Sequence, residues 1–311
     1  MNPAHFKNLP GRKTDVKDAE WLCQLLECGL LRGSFIPPAE IAKLRDLTRY
    51  RSKVVQERAR ETQRIQKLLE DAGIKLDSVA TDVLGKSCRA MLEALIAGER
   101  NPEVLAEMAL TRMRPKIGEL RQALVGRFGD HHALLLRMHL DHVDQLSGIE
   151  QRLDTEVDRL MAPFDEKATH LVSVPGIGKR VAEVIVAEIG VDMTRFPTAA
   201  HLASWVGLCP GHPGHHESAG KRKSGRARKG NPALRSAMCE AAWAASHGKD
   251  NYFAAQFRRF KRRFGTKGET KAVFAVAHTM IVIVWHLLAN DCDYQDLGAD
   301  FFERRTGGPG S

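Results

Sequence analysis

The sequence predicts a mainly α-helical protein, and three observations predict it. Two long stretches, 41–72 and 139–161, repeat apolar residues every three or four positions among charged ones, as long helices with a coiled-coil-like seam do. A glycine hairpin, Pro175-Gly176-Ile177-Gly178, opens directly into a third helical pattern. Further on, an alanine-rich, an aromatic and an apolar segment follow one another, each of helical length.

In chain order, Asp15 onward places Ala19, Leu22, Leu25 and Leu26 on one face of a short amphipathic helix that ends near Gly29. Pro37 and Pro38 break the chain, and the charged helix from Ile41 to Ala72 carries Leu44, Leu47, Val54, Ile65, Leu68 and Leu69. Arg51, Arg58 and Thr62 interrupt its apolar seam. Between His139 and Met161 the seam is Val143, Leu146, Ile149, Leu153, Val157 and Leu160. The two long helices suit each other as partners, and pairing within one chain or across a dimer fits the period equally well. A composition shift at Pro163 and Phe164 opens a second region. There the apolar run Leu171-Val172-Ser173-Val174 leads through the hairpin into a helix from Arg180 to Ile189. An alanine-rich helix from Leu234 to Ala245 is followed by Tyr252 to Phe264, where Phe253, Phe257, Phe260 and Phe264 form a stripe suited to burial. Arg258, Arg259, Lys261, Arg262 and Arg263 make up the other face of that helix. Thr306 to Ser311 reads as a frayed tail.

At 311 residues and 43% hydrophobic content the chain is long and apolar enough for two folded domains, which excludes a disordered class. A formal charge of +9 and a pI near 9.3 favour a polyanionic partner. Cys23, Cys28, Cys88, Cys209, Cys239 and Cys292 lack CxxC spacing and follow no signal peptide, so reduced thiols and a cytoplasmic location are expected. Ala272 to Ala289 is apolar, but His278, Thr279, His286 and the flanking Lys267 and Lys271 fit a buried helix better than a membrane span.

The charge concentrates in Ser218–Arg235, which holds Lys221, Arg222, Lys223, Arg226, Arg228, Lys229 and Arg235 and no acidic residue. Such a run repels itself and needs an anion, and Gly220, Gly225 and Gly230 permit close backbone approach. Nucleic acid is the expected partner. Gly176 and Gly178 would present backbone N–H groups at a helix start beside Lys179 and Arg180, a phosphate site that reads no base; the pattern resembles a helix-hairpin-helix element. Ser218 either hydrogen-bonds a phosphate or attacks one; Glu217, His215 and His216 are the local groups able to take its proton. Asp15 and Asp18, three apart on one helical face, either share a magnesium ion or cap the helix start. Cys209, His212, His215 and His216 have zinc-like spacing, but Pro210, Gly211, Pro213 and Gly214 make a loop too compact to wrap a tetrahedron.

Several motifs in order then resemble the IS110 class of bacterial insertion-sequence transposases: Asn2-Pro3, Gly11 to Ala19, Gly29 to Leu31, Pro175 to Gly178, Phe196-Pro197, Gly207 to Pro210, Ser218 to Lys221 and Gly230 to Arg235. The resemblance covers nearly the whole chain. It implies a remnant of an RNase H-like α/β domain at 1–35, a helical coiled-coil-like region at 36–165, a transposase domain with the helix-hairpin-helix element and the catalytic serine at 166–290, and a tail at 291–311. It implies further that Ser218 is the DNA-attacking nucleophile and that Asp15 and Asp18 are the last two acids of a DEDD metal site for Mg2+. Partners implied are element-end and target DNA, an element-encoded guide RNA and further copies of the chain in a homo-oligomer, with no membrane. The family's first Asp and its Glu precede the Gly11 motif, and only fourteen residues stand before Asp15, so an N-terminally truncated transposase with half its metal site is expected, unable to recombine DNA well by itself. The competing expectation is a non-catalytic DNA- or RNA-binding protein using the same basic surface.

Overall fold

A computed structural model describes residues 15–30, 36–209, 227, 229–265 and 268–306. Among the described residues the regular structure is entirely helical, so the mainly α expectation holds. The α-helices are α1 (Asp15–Glu27), α2 (Ala39–Asp71), α3 (Lys86–Ile96), α4 (Pro102–Glu107), α5 (Ile117–Ala123), α6 (Asp130–Met161), α7 (Asp165–Val172), α8 (Lys179–Ile189), α9 (Ala199–Val206), α10 (Pro232–Ser246), α11 (Tyr252–Phe264), α12 (Glu269–Asn290) and α13 (Phe301–Thr306). They form two compact units, one of residues 44–163 and the other of residues 1–43 and 164–311.

In the 44–163 unit, α2 and α6 run antiparallel: Arg51 meets Asp154 at 3.4 Å, Arg58 meets Glu150 at 3.2 Å, and Glu61 meets His139 at 2.5 Å, so rising numbers on one helix face falling numbers on the other. The seam between them is Leu47, Val54, Leu146, Ile149 and Leu153. The long-helix pairing is therefore made within the chain. Arg51 and Arg58, which break the apolar period, are matched across the seam by acids, and Arg51 is itself buried. A lone guanidinium there would cost several kcal/mol, on the order of the desolvation of a buried ion. Glu61 is buried too; burial alone would raise its carboxyl pKa, yet hydrogen bonds from His139 and Arg64 lower it below the ordinary glutamate value.

Between the long helices, residues 72–129 build a core that the sequence reading passed over. Met91, Leu92, Leu95, Leu105 and Leu120 from three short helices pack on Leu69, Leu136 and Leu140 of the long ones. Gly126 closes this core: a Cβ there would lie 2.5 Å from the Ala72 carbonyl oxygen, beside the Arg127 N–H to Ala72 O bond of 2.6 Å. Helix α6 begins at Asp130 rather than near His139, because its first turns pair Leu136 and Leu140 with this core while Leu134 and Met138 stay exposed.

In the other unit α12 is the central helix, packed by α7, α9, α10 and α11. It is long and apolar enough to cross a membrane by length and composition, but half of its apolar window is buried inside the unit. Its polar residues are used: His278 Nδ1 donates to the Leu208 carbonyl at 3.1 Å, and Thr279 Oγ1 accepts from Gln256 Nε2 at 3.0 Å. The alanines Ala237, Ala241, Ala242 and Ala245 let α10 approach closely. Two expectations need correction. In α1, Leu25 is buried but Leu26 is exposed, so the apolar face is narrower than the spacing suggests. In α11, Phe253 and Phe257 are buried while Phe264 is exposed and stacks on Phe260 at 5.8 Å, so only the first half of the aromatic stripe is core.

Residues 291–306, assigned from sequence to a tail, are fastened to this unit up to α13. Lys167 Nζ lies 2.5 Å from Asp291, the Tyr294 N–H donates to Ser173 Oγ at 2.9 Å, and Tyr252 stacks on Phe302. His170 sits between two carboxylates, with Nδ1 2.6 Å from Asp293 and Nε2 3.1 Å from Asp291. Carboxylates only accept, so both ring nitrogens carry protons and the imidazolium is favoured; its pKa is raised, chiefly by the hydrogen bond to Asp293. A raised folded-state value means that the stabilisation is complete below the unfolded histidine pKa of about 6.5 and is lost as pH climbs through the higher folded value. Urea unfolding of wild type and His170→Gln at a series of pH values is expected to show the largest stability gap at the acid end of that window and a vanishing gap above it.

Candidate nucleic-acid interface

The turn at 173–178 joins α7 to α8 and places the predicted hairpin glycines. Ile177 N–H bonds to the Val174 carbonyl at 3.0 Å, and Val174 and Ile177 are buried, anchoring the turn from beneath. Gly176 adopts φ +87°, and a Cβ on it would meet the Ala241 carbonyl oxygen at 2.3 Å, so glycine is required both by backbone conformation and by contact with α10. Gly178 is the N-cap of α8, and Gly178, Lys179 and Arg180 are all exposed. The start of α8 thus offers two cations beside the positive end of a helix of 11 residues, a setting that favours phosphate.

The basic run is held at its downstream root. A Cβ on Gly230 would fall 2.2 Å from the Val206 carbonyl carbon and 2.3 Å from Gly207 N, so its backbone lies flat against the end of α9. Asn231 donates its backbone N–H to the Trp205 carbonyl at 3.2 Å, donates Nδ2 to Glu188 Oε2 at 2.6 Å, and caps α10 by accepting from Leu234 N at 3.0 Å. Pro232 at the first position of α10 completes this start. On the upstream side, Gly207 ends α9 in the left-handed conformation at φ +80°, and buried Leu208 is gripped by His278. The described residues on either side of the run therefore meet at the end of α9. Glu188 is fully buried there and Glu183 nearly so, two carboxylates that the sequence reading passed over because charged helix positions are usually solvated. The signal that could have found this root was Gly230-Asn231-Pro232, a cap residue followed by proline.

Of the predicted phosphate contacts, Gly176, Gly178, Lys179 and Arg180 lie together at one end of α8. Lys229, exposed, and Arg235, half-buried, lie at the other end, beside Glu188 and Asn231. The helix between them spans about 15 Å at 1.5 Å per residue. Ser218, Lys221, Arg222, Lys223, Arg226 and Arg228, together with His212, His215 and His216, lie outside the described residues. Asp15 and Asp18 occupy the first turn of α1, three positions apart, which keeps them on one face; their side chains lie outside the description as well. Among the described residues no cluster of three or more histidine, cysteine or acidic side chains is placed to hold a metal.

Comparison with known proteins bears on these same segments. A family model described as Transposase IS116/IS110/IS902 family matches residues 168–258, from α7 through the hairpin and basic run into α11, and a DEDD transposase model of the IS110 group matches residues 1–74. Together they take up more than half of the chain, in the order the motifs follow. The chain belongs to the IS110 transposase family. A probable family 20 transposase of Pseudomonas aeruginosa is 24% identical over 92% of this chain and 75% of its own length. A putative transposase of Sinorhizobium fredii is 25% identical over 88% of this chain and 65% of its own length. The pilin gene-inverting protein of Moraxella bovis is 32% identical over 44% of this chain, which spans 42% of that relative. For the IS110 family match, the 168–258 segment covers both the hairpin and the clamped root, so both cationic ends of α8 belong to its matched region.

Proposed function

We propose that the chain is a DNA transposase or recombinase of a bacterial insertion sequence whose 166–290 region binds DNA and bears the nucleophilic serine. One observation carries the proposal: a single folded unit pins the root of the basic run by Glu188, Asn231 and Gly230 and presents a second cationic site at the start of α8. The root fixes Gly230 and Asn231, the downstream end of the run, against the end of α9 and Glu188. In this reading α7, the turn and α8 form a helix-hairpin-helix element that takes a phosphate at Gly178, Lys179 and Arg180 without reading sequence. The 1–35 region belongs to an RNase H-like domain, and Asp15 and Asp18 hold a divalent cation, Mg2+, whose charge supports phosphoryl transfer. Element-end and target DNA are the substrates, with guide RNA and further copies of the chain as partners, in the cytoplasm.

Chemically, Ser218 Oγ loses its proton to a neighbouring base and forms a bond to phosphorus. The bond from phosphorus to one deoxyribose oxygen breaks, and that oxygen leaves as a hydroxyl after taking up a proton. The phosphoserine ester retains the energy of the broken bond, so attack by another strand's hydroxyl restores a phosphodiester and frees the serine. Lys221, Arg222 and Lys223 stabilise the negative charge that builds on the phosphoryl oxygens.

The binding half of this proposal is tested by titrating the protein with labelled element-end duplex at several salt concentrations. Affinity is expected to fall by roughly 0.9 log units per phosphate contact for each tenfold rise in salt, with Lys179→Ala plus Arg180→Ala lowering the slope. An affinity that ignores salt contradicts it. A non-catalytic binding protein passes this test but yields no covalent product, which separates the second reading from the first.

A further inference from the structure

Trp243 is the large aromatic of α10 that the fold leaves uncovered: 47% of it is exposed. It is not isolated. Its ring lies 4.4 Å from His247, and both approach Phe257 of α11, at 6.5 and 5.9 Å between centroids. His247 Nδ1 donates to the Trp243 carbonyl at 2.8 Å, since a carbonyl can only accept, and this fixes the imidazole on the end of α10. Lys261 Nζ lies over the Phe257 ring at 5.8 Å, and Arg258, Arg262 and Arg263 are exposed on the same helix. Two acids stand near this group: Glu269, engaged by Lys261 at 2.8 Å, and Glu240, one turn before Trp243 on α10 and within 3.3 Å of Ser236 Oγ. The result is an exposed indole braced by two rings, with Lys261 beside them on a helix whose exposed positions include Arg258, Arg262 and Arg263.

The place of this group in the unit adds to the argument. Gly176 of the hairpin packs on Ala241 and Ala245 of α10. Trp243 lies between them in sequence, and at 100° per residue it projects from the opposite flank of the same turn of helix. The hairpin at Gly176 and the indole therefore stand on opposite flanks of the same turns of α10.

We infer that Trp243 is a stacking platform for an unpaired base of single-stranded DNA, with His247 bracing the indole and Lys261, Arg258, Arg262 and Arg263 taking the flanking phosphates. An indole face on a strongly basic helix pair matches a nucleotide, which is a flat ring carrying an anion; an apolar protein partner laid over it would have to desolvate the cations of α11. A duplex hides its base faces, so the ligand is a strand with bases open. Strand exchange, as proposed above, generates such nucleotides when a cut strand leaves one duplex and has yet to pair with another; the inference rests on that reading for its biological setting.

The experiment titrates the full chain, followed by tryptophan fluorescence, with a dT12 strand, an rU12 strand and a duplex of equal length, using wild type, Trp243→Phe and Trp243→Ala. Trp21, Trp205 and Trp285 contribute background signal, so the difference between wild type and Trp243→Phe isolates the indole in question. The expected result is quenching by dT12 that Trp243→Phe abolishes while retaining most of the affinity. Trp243→Ala is expected to weaken dT12 binding about tenfold and duplex binding by much less. Quenching that persists in Trp243→Phe, equal loss for duplex and single strand, preference for rU12 over dT12, or loss of self-association in Trp243→Ala would each overturn the assignment. Failure of duplex binding to depend on salt would instead strike at the basic surface, leaving the two readings separable.

Discussion

Ser218→Ala is expected to abolish the covalent protein–DNA product. When the chain is incubated with element-end DNA and Mg2+, alone and mixed with a full-length IS110-family transposase carrying its own serine-to-alanine change, wild type is expected to give a species that survives denaturing gels and disappears on nuclease treatment. On the proposed reading this chain supplies the serine in the mixture and the relative supplies carboxylates of its own, so the outcome does not depend on Asp15 and Asp18 alone. The substitution removes the only atom that forms the new bond, so the yield is expected to drop on the order of 10³-fold or more. DNA affinity is expected to persist, because the cations that carry it remain. A product of equal yield from Ser218→Ala removes Ser218 as nucleophile.

Gly230→Ala is expected to cost about 3 kcal/mol of stability, at the upper end for a single added methyl. The Cβ would sit 2.2 and 2.3 Å from the Val206 carbonyl carbon and oxygen and from Gly207 N, all of them backbone atoms at the end of α9 that cannot rotate away. Relief requires pushing the root of the basic run off α9, which also breaks the Asn231 bonds to Trp205 and Glu188. The loss is therefore expected in DNA affinity as well as in the urea midpoint. Gly178→Ala is the matched control: at φ −86° with no atom within 4 Å of the added carbon, it is expected to cost about 1 kcal/mol or less. Equal stability of the two variants would show that the close approach at Gly230 does not hold the run.

The two substitutions show why some of this protein is legible in its sequence and some is not. Helices α2 and α6 follow from apolar spacing, because each buries one stripe against a neighbour and the stripe keeps its period, while α12 follows from an apolar run that suits a central helix packed on several sides. The hairpin is legible through Gly176 and Gly178, where backbone conformation and contact leave little choice of residue. The 72–129 core is legible only in part: Cys88, Met91, Leu92 and Leu95 of α3 keep a helical period that was passed over, whereas α4 and α5, at one to two turns, are too short to show one. Leu134 and Met138 hide the start of α6 for a related reason, being apolar yet exposed. Arg51, Glu61 and Glu188 are illegible in a different way. Each looks like a solvated charge, and only the partner brought to it, Asp154, His139 or Asn231, shows that it is buried. Of the candidate site, the cations at Lys179, Arg180, Lys229 and Arg235 were found by composition, but their division between the two ends of α8 needed the structure.

The central claim is that Ser218 attacks DNA from a run anchored on the α8–α10 pair. The most direct measurement is mass spectrometry of the peptide that remains joined to a nucleotide after protease and nuclease digestion of the covalent product. The account predicts a single modified peptide with the phosphodeoxynucleotide on Ser218. A nucleotide on any other residue, such as Ser224 in the same run, or a binding-competent protein that yields no linked peptide with Mg2+ and the serine-less relative present, would contradict it.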